Sequence, residues 1–294
     1  MTLDRRGLTL LVILTIAWGI NWPIMKLGVA HFPAMGFRLL GMVGGLVALG
    51  LVLKVRGDSL HVPRQAWGMV LKLAIPNMVI WHLFAICAVK MLSSGRAAIL
   101  GYTMPIWAVV WGLVIYRDRI ALSAWIGIAC ALTGTILLLS GEIAALTGSP
   151  AGTLMMLVAA AGWGFGTQQL KRSHTDVPIG PLTFWMLAIT LPFLGIGTLL
   201  FETGWRMPSA IEWGAIAYNA VVVFAFCQLV WFMLARSLPP VVSSLSIMFI
   251  PVVGVFSGMW LLGETPHWQD YVAIVLMFAS LSSVMLAPLL RRRM

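Results

Sequence analysis

Long apolar runs alternate with short polar links along the whole chain. A helix needs about 20 apolar residues to cross the hydrocarbon core of a membrane, and the chain offers ten such stretches. The predicted spans are Leu8–Leu27, Pro33–Leu53, Ala66–Lys90, Gly95–Tyr116, Leu122–Ser140, Gly152–Leu170, Ile179–Phe201, Ile211–Ala235, Val241–Leu262 and Trp268–Pro288. The links are too short to hold a soluble domain. The pattern therefore predicts an all-α membrane protein with ten transmembrane helices.

The chain contains an internal repeat, which is clearest between Ser93–Arg119 and Pro239–Thr265. At an offset of 146 residues the matching pairs are Pro105 with Pro251, Gly112 with Gly258, and Asp118 with Glu264. The pairs Trp18-Gly19 and Trp163-Gly164 match at nearly the same offset. We therefore predict two five-helix units, residues 1–140 and 152–288. Because five crossings are an odd number, the second unit is inverted, and in transporters built this way the substrate site lies near the midplane where the halves meet.

Composition and charge support a membrane protein and predict its orientation. Only 10% of the residues are charged and 61% are hydrophobic, whereas a soluble domain carries roughly a quarter charged residues. The net charge of +10 does not indicate nucleic-acid binding, because the basic residues lie in turns between apolar runs. Of the 19 Lys and Arg residues, all but five fall on the side of the termini. The five are Lys26, Arg38, Lys90, Arg96 and Arg206. This bias places both termini in the cytoplasm.

The distribution of reactive residues argues against catalysis and against cofactors. The three cysteines lie in apolar runs without metal-binding spacing, so nothing indicates a disulfide, a metal or another cofactor. All nine acidic residues lie at span ends or in links, which disfavours ion coupling through a carboxylate at the membrane midplane. There is no phosphate-binding loop for ATP. The expected partners are a small-molecule substrate and the lipid bilayer, with no obligatory protein partner.

Taken together, these motifs resemble the EamA-type branch of the drug/metabolite transporter superfamily. The resemblance covers nearly the whole chain: two five-span units, a Trp-Gly pair in the first span of each, and a fourth-span proline followed by an acidic residue. The first unit departs from the pattern, because it ends in Tyr116-Arg117-Asp118 where the second has Gly263-Glu264. The resemblance implies alternating access around a central cavity. The Trp-rich, acid-poor spans are similar to those of bacterial aromatic amino acid exporters of the inner membrane.

Polar and aromatic residues inside the spans are the candidate substrate-binding residues, because burying polar groups in a membrane is costly. In the first unit they are Trp18, Asn21, Trp22, Asn77, Trp81, His82 and Tyr102, and in the second Trp163, Gln168, Tyr218, Gln228 and Ser244. Asn21 lies between indoles and either binds substrate or joins two helices. His82 is the only histidine inside a predicted span and is a proton site, a substrate ligand or a paired core residue. Pro105 and Pro251 are candidate hinges, with static kinks as the alternative.

The leading hypothesis is an exporter of amino acids with aromatic or bulky apolar side chains, which also accepts amphipathic cationic drugs by cation–π contact. A transporter of nucleotide sugars or other metabolites is the alternative. It is weaker, because the span interiors contain no basic residues to neutralise phosphate. An intramembrane enzyme is the most remote alternative, since no Ser–His or His–Asp pair is evident at membrane depth.

Overall fold

The computed structural model describes residues 5–119, 122–144, 149–173, 177–228, 230 and 240–285. These residues form α-helices, two π-helical segments and one 3-10 turn, and no strand lies among them. The α-helices are α1 Arg5–Val29, α2 Ala34–Val55, α3 Trp67–Ala74, α4 Trp81–Met91, α5 Ser94–Gly101, α6 Met104–Val114, α7 Leu122–Ala144, α8 Pro150–Arg172, α9 Ile179–Phe201, α10 Ala210–Ala217, α11 Pro240–Leu262 and α12 Trp268–Met285. The all-helical class predicted from the sequence is confirmed for these residues.

Six helical segments in the described part of the chain are long and apolar enough to cross a membrane. They are Thr9–Val29, Ala34–Val55, Arg64–Met91, Ser94–Val114, Ile179–Phe201 and Ala210–Cys227. Two further apolar helical stretches, Trp125–Leu138 and Phe249–Leu262, are shorter. The protein is therefore a multi-pass membrane protein.

Two of the predicted spans contain irregular helix at a proline. Residues Ile75–Ile80 form a π-helical segment between α3 and α4, and Pro76 within it has no N–H to continue an α-helical ladder. The fourth predicted span is two helices, because α5 ends at Gly101 and α6 begins at Met104. A second π-helical segment, Tyr218–Cys227, continues α10. Single π-helical turns within α-helices are frequent at functional sites.

The helices of the two halves of the chain pack against each other rather than forming separate bundles. Helix α1 packs along α11, and α2 packs along the Tyr218–Cys227 segment and α9. Helices α4 and α6 both contact α8, and α7 pairs with α12. The largest buried apolar cluster among the described residues accordingly draws on helices of both halves, namely α1, α2, α4, α5, α7, α8, α10, α11 and α12. The apolar core is therefore shared by both halves of the chain.

One end of the bundle, formed by links 30–33, 92–93, 202–209 and 263–267, is closely joined, and we call it the capped end. Lys26 donates to the carbonyl of Lys90 at 2.8 Å, and Lys90 donates to the carbonyl of Phe32 at 3.2 Å. Two carboxylates there accept from the first backbone N–H groups of helices. Glu202 accepts from Met35 and Gly36 of α2, and Glu264 accepts from Ser94 and Gly95 of α5. Four links are thus held together at this end.

Candidate functional site

Trp22 lies where α1, α5 and α11 meet. Its ring meets that of Tyr102 edge to face, with centroids 6.3 Å apart. Gly101 and Gly254 leave room for it: a Cβ atom on Gly101 would lie 2.8 Å from the Trp22 ring, and one on Gly254 would lie 3.3 Å away. The structure thus brings together two predicted site residues, Trp22 and Tyr102.

Asn21 is buried beside this aromatic pair, with 7% of its surface exposed. Its side-chain oxygen has no hydrogen-bond partner among the described residues. Trp18, on the preceding turn of α1, is half-buried. Tyr218 approaches the same helix and donates its hydroxyl to the carbonyl of Ala17 at 2.7 Å. The hydroxyl of Tyr218 is therefore bound to backbone, whereas the amide oxygen of Asn21 is available to a donor.

A second aromatic group links α4 to the other half of the chain. Trp81 and Trp163 meet edge to face with centroids 5.4 Å apart. On the next residue, the ring of His82 contacts that of Phe224 at 5.4 Å. His82 is 5% exposed, and neither ring nitrogen has a partner among the described residues. The imidazole therefore lies in an apolar contact with both polar atoms unused.

Arg38 lies beside this group, which corrects the prediction that the span interiors contain no basic residue. It is in the second turn of α2, and only 4% of its surface is exposed. It donates to the side-chain oxygen of Asn219 at 3.2 Å, contacts the sulfur of Met25, and lies 5.7 Å from the ring centroid of Phe224. The sequence placed Arg38 among the flanking residues outside the membrane, but its side chain is directed into the bundle.

The signal for an inward Arg38 was present in the sequence. Gly41 and Gly45 follow it at spacings of three and seven residues, so the three lie on one helix face. A Cβ on Gly41 would lie 3.3 Å from the Cβ of Asn219, and one on Gly45 would lie 2.4 Å from the Cβ of Phe224. A face of small residues marks a helix contact, and Arg38 shares that face.

Two other predicted site residues join helices in the structure. Asn77 donates to the carbonyl of Leu73 at 2.9 Å and packs against Gly166 of α8, where a Cβ atom would clash with its amide. Gln168 donates to the carbonyl of Ala108 at 2.6 Å and so links α8 to α6. Neither is brought into contact with Trp22 or His82 by any of these bonds.

The remaining predicted positions are two polar residues of the second half and the two candidate hinge prolines. Gln228 is 9% exposed and directly follows the Tyr218–Cys227 segment. The side chain of Ser244 lies outside the described residues. Pro105 is the second residue of α6, directly after the interruption of the fourth span, and Thr103 donates its hydroxyl to the carbonyl of Leu100 at that interruption. Pro251 lies within the continuous helix α11. Their role as hinges stays a prediction.

No group of three or more His, Cys, Asp or Glu residues that could hold a metal ion occurs within the part of the chain that the structure describes. The candidate site residues are instead aromatic side chains together with one guanidinium and buried amide and imidazole atoms that have no partner among the described residues. Such a surface suits an amphipathic organic solute.

The architecture occurs in another protein of known structure. A solved crystal structure has the same fold at a TM-score of 0.68, with 20% sequence identity, over 96% of this chain and 98% of its own. The sequence model of the EamA-like transporter family matches residues 5–140 and again residues 150–286. The protein therefore belongs to the EamA-like transporter family, as its motifs predicted.

Named relatives are transporters as well. The uncharacterized transporter YoaV of Bacillus subtilis is 25% identical over 90% of both chains. The uncharacterized inner membrane transporter YedA of Escherichia coli is 27% identical over 90% of this chain and 86% of its own. A probable amino-acid metabolite efflux pump of Salmonella typhimurium is 25% identical over 95% of this chain and 94% of its own. The protein is thus a membrane transporter of a small molecule and not an enzyme.

Proposed function

We propose that the protein exports amino acids with aromatic or bulky apolar side chains across the bacterial inner membrane by alternating access. The side chain of the solute would pack on the indoles of Trp22, Trp81 and Trp163, and its amino group would donate to Asn21 or His82. Taken by themselves, the same rings would attract a cationic amphiphile.

The observation that carries this proposal is the set of unpaired polar atoms beside aromatic rings. Buried polar atoms in proteins are almost always hydrogen-bonded, yet Asn21 and His82 together leave three side-chain atoms without a partner among the described residues. A zwitterionic solute supplies both donors and acceptors. The efflux-pump name of the Salmonella relative supports the same class of solute and the direction of transport.

We further infer that ten helices cross the membrane as two inverted five-helix units, residues 1–140 and 152–288, around a central cavity with both termini in the cytoplasm. The bias of basic residues supports this orientation. The repeated turn geometry supports the duplication: the N–H of Asp118 donates to the carbonyl of Gly112, and that of Glu264 donates to the carbonyl of Gly258. In this orientation the capped end faces outward.

The transport proposal is tested with purified protein in liposomes. We expect saturable, stereoselective exchange of radiolabelled L-phenylalanine or L-leucine, and we expect Asn21→Ala and His82→Ala to lower its rate about 10-fold or more, since each removes a buried hydrogen-bonding group. Folded yield, measured by size-exclusion chromatography, should be nearly unchanged. Normal exchange by both variants would show that these residues only join helices. The proposal of amino-acid export is wrong if none of the twenty amino acids exchanges.

The topology is tested with single cysteines in a variant that lacks Cys87, Cys130 and Cys227. Thr203→Cys in the 202–209 link should react with an impermeant maleimide from outside intact cells. Ser59→Cys should react only after permeabilisation, and so should Arg236→Cys, a position outside the described residues. Labelling of Arg236→Cys from the same side as Thr203→Cys would contradict the ten-helix arrangement.

A further inference from the structure

Arg38 is turned inward rather than toward either membrane surface. Arginine near a helix end commonly extends its side chain to the water–lipid boundary, but Arg38 is only 4% exposed. The glycine face of α2 brings it against the Tyr218–Cys227 segment, where it contacts Asn219 and Phe224. The positive charge therefore lies within the helix bundle.

None of the groups that contact Arg38 carries a negative charge. A guanidinium has five N–H donors, and here they meet a neutral amide oxygen, the weak thioether acceptor of Met25 and an aromatic ring. The Nε–H group has no acceptor among the described residues. The charge is solvated only in part by these neighbours.

The carboxylates on neighbouring elements already have partners. Glu202 accepts from the backbone N–H groups of Met35 and Gly36. Glu212, on the helix that continues into the Tyr218–Cys227 segment, pairs with Arg206 at 2.5 Å. Across the described ranges, no acidic side chain forms a salt bridge with Arg38.

Arg96 provides a contrast within the same bundle. It is buried to a similar degree, at 8% exposure, and it pairs with Asp270 at 2.8 Å. A buried charge without its counter-ion is strongly destabilising, and ionisable residues inside a membrane protein are typically functional. Arg96 has the counter-ion expected of a structural arginine, and Arg38 does not.

We propose that Arg38 binds the carboxylate of the transported solute, so that the protein selects carboxylate-bearing solutes over purely cationic ones. This inference rests on the proposed function and names the group that its substrates must share. The planar guanidinium matches a carboxylate with two parallel hydrogen bonds. An unneutralised cation in the bundle also repels amines that lack a carboxylate.

The neighbourhood of Arg38 fits the rest of an amino acid. Met25, which Arg38 contacts, follows Asn21 by one turn of α1, so the guanidinium and the unpaired amide oxygen lie toward the same stretch of that helix. Phe224 contacts both Arg38 and His82. The second half of the chain has Phe184 at the 146-residue offset from Arg38. The repeat therefore supplies no second cation at the position that matches Arg38. One guanidinium suits a monocarboxylate better than a nucleotide sugar with two phosphates.

The first experiment compares matched solutes in wild-type proteoliposomes. L-Phenylalanine should compete with labelled L-leucine at least about 10-fold better than phenethylamine does. Phenethylamine keeps the ring and the amine but has no carboxylate. Arg38→Met should lower the affinity for L-phenylalanine by a similar factor, and Arg38→Lys, which keeps the charge, should retain part of it. Lys54→Met is the matched control, because Lys54 is an exposed lysine near the other end of the same helix. Wild-type affinity in Arg38→Met would overturn the proposal.

A second measurement separates this inference from the identity of the substrate. Thermal unfolding of the purified protein is followed with phenylacetate, phenylpyruvate, inorganic phosphate or chloride added as the sodium salt. The two carboxylates should raise the midpoint temperature of wild type and Lys54→Met but not of Arg38→Met. This result would support the carboxylate site even if no amino acid exchanges in liposomes. No carboxylate-dependent rise in wild type, or an equal rise with phosphate or chloride, would contradict it.

Discussion

Replacing Arg96 with methionine is expected to lower the free energy of unfolding by about 3–5 kcal/mol, the usual cost of removing one member of a buried ion pair. Arg96 pairs with Asp270 at 2.8 Å, and the two side chains are 9% and 5% exposed. The pair joins α5 to the start of α12, where Asp270 also accepts from the N–H of His267. Without Arg96 the carboxylate keeps that one bond but loses its counter-ion. Reversible unfolding in mixed detergent–SDS micelles measures the change.

The exposed pair of Arg172 and Asp118 provides the control. Its side chains are 34% and 40% exposed, and pairs in contact with water contribute about 1 kcal/mol or less. Arg172→Met should therefore change the free energy of unfolding little. In the double variant Arg96→Met/Asp270→Asn, stability should partly recover, because the amide keeps the cap on α12 without an unpaired charge. A loss for Arg172→Met as large as that for Arg96→Met would show that burial does not set the cost.

Hydrophobic pattern predicted the regular helices well, because membrane thickness fixes their length. The predicted span Ile179–Phe201 has the same bounds as α9, and the first span differs from α1 by only a few residues. The interruption at Tyr102–Thr103 was not predicted in detail. Pro105 marked its region, but the sequence does not determine whether a proline breaks a helix or is accommodated within it. Pro251 has the same spacing in the repeat and lies in a continuous helix.

Side-chain partners were harder to predict, because they depend on which helix faces meet. Asn77 fits against α8 only because Gly166 has no side chain there, and that pairing joins residues from two distant spans. Arg38 was placed outside the membrane because it lies close to the end of an apolar run. That distance gives the depth of a residue in the membrane but not the direction of its side chain. The π-helical segments were not predicted either. A short run of i→i+5 hydrogen bonds hardly changes the spacing of apolar residues along the chain.

The two matching turns of the repeat hold their carboxylates differently at the two ends of the bundle. Glu264 of the second unit accepts from the backbone N–H and the hydroxyl of Ser94 at 2.8 Å each, and from the N–H of Gly95 at 3.3 Å. Its carboxylate thus caps a helix of the first unit. Asp118 occupies the same turn in the first unit, but it pairs with Arg172, the last residue of α8 in the second unit. Both carboxylates therefore contact the other unit, but Glu264 caps a helix N-terminus, whereas Asp118 forms an exposed ion pair.

Replacing Glu264 with alanine is accordingly expected to open the capped end. The cap consists of hydrogen bonds to an ionised carboxylate at a helix N-terminus, each worth about 1.5–3 kcal/mol. Because these bonds form only while α5 and α11 are together at this end, their loss should lower the population of the closed state about 10-fold or more. A cysteine in place of Val255 reports this change, since Val255 is buried beside Gly95 just beneath the cap.

In a variant without native cysteines, Val255→Cys should react slowly with an impermeant thiol reagent added from outside. Adding Glu264→Ala should accelerate that reaction about 10-fold or more, and Glu264→Gln, which keeps an oxygen acceptor, should have a smaller effect. Asp118→Ala is the matched control, because it removes the equivalent carboxylate at the opposite end and leaves the cap intact. Equal reactivity of Val255→Cys with and without Glu264 would show that the apolar packing of α5 on α11, rather than the cap, holds this end closed.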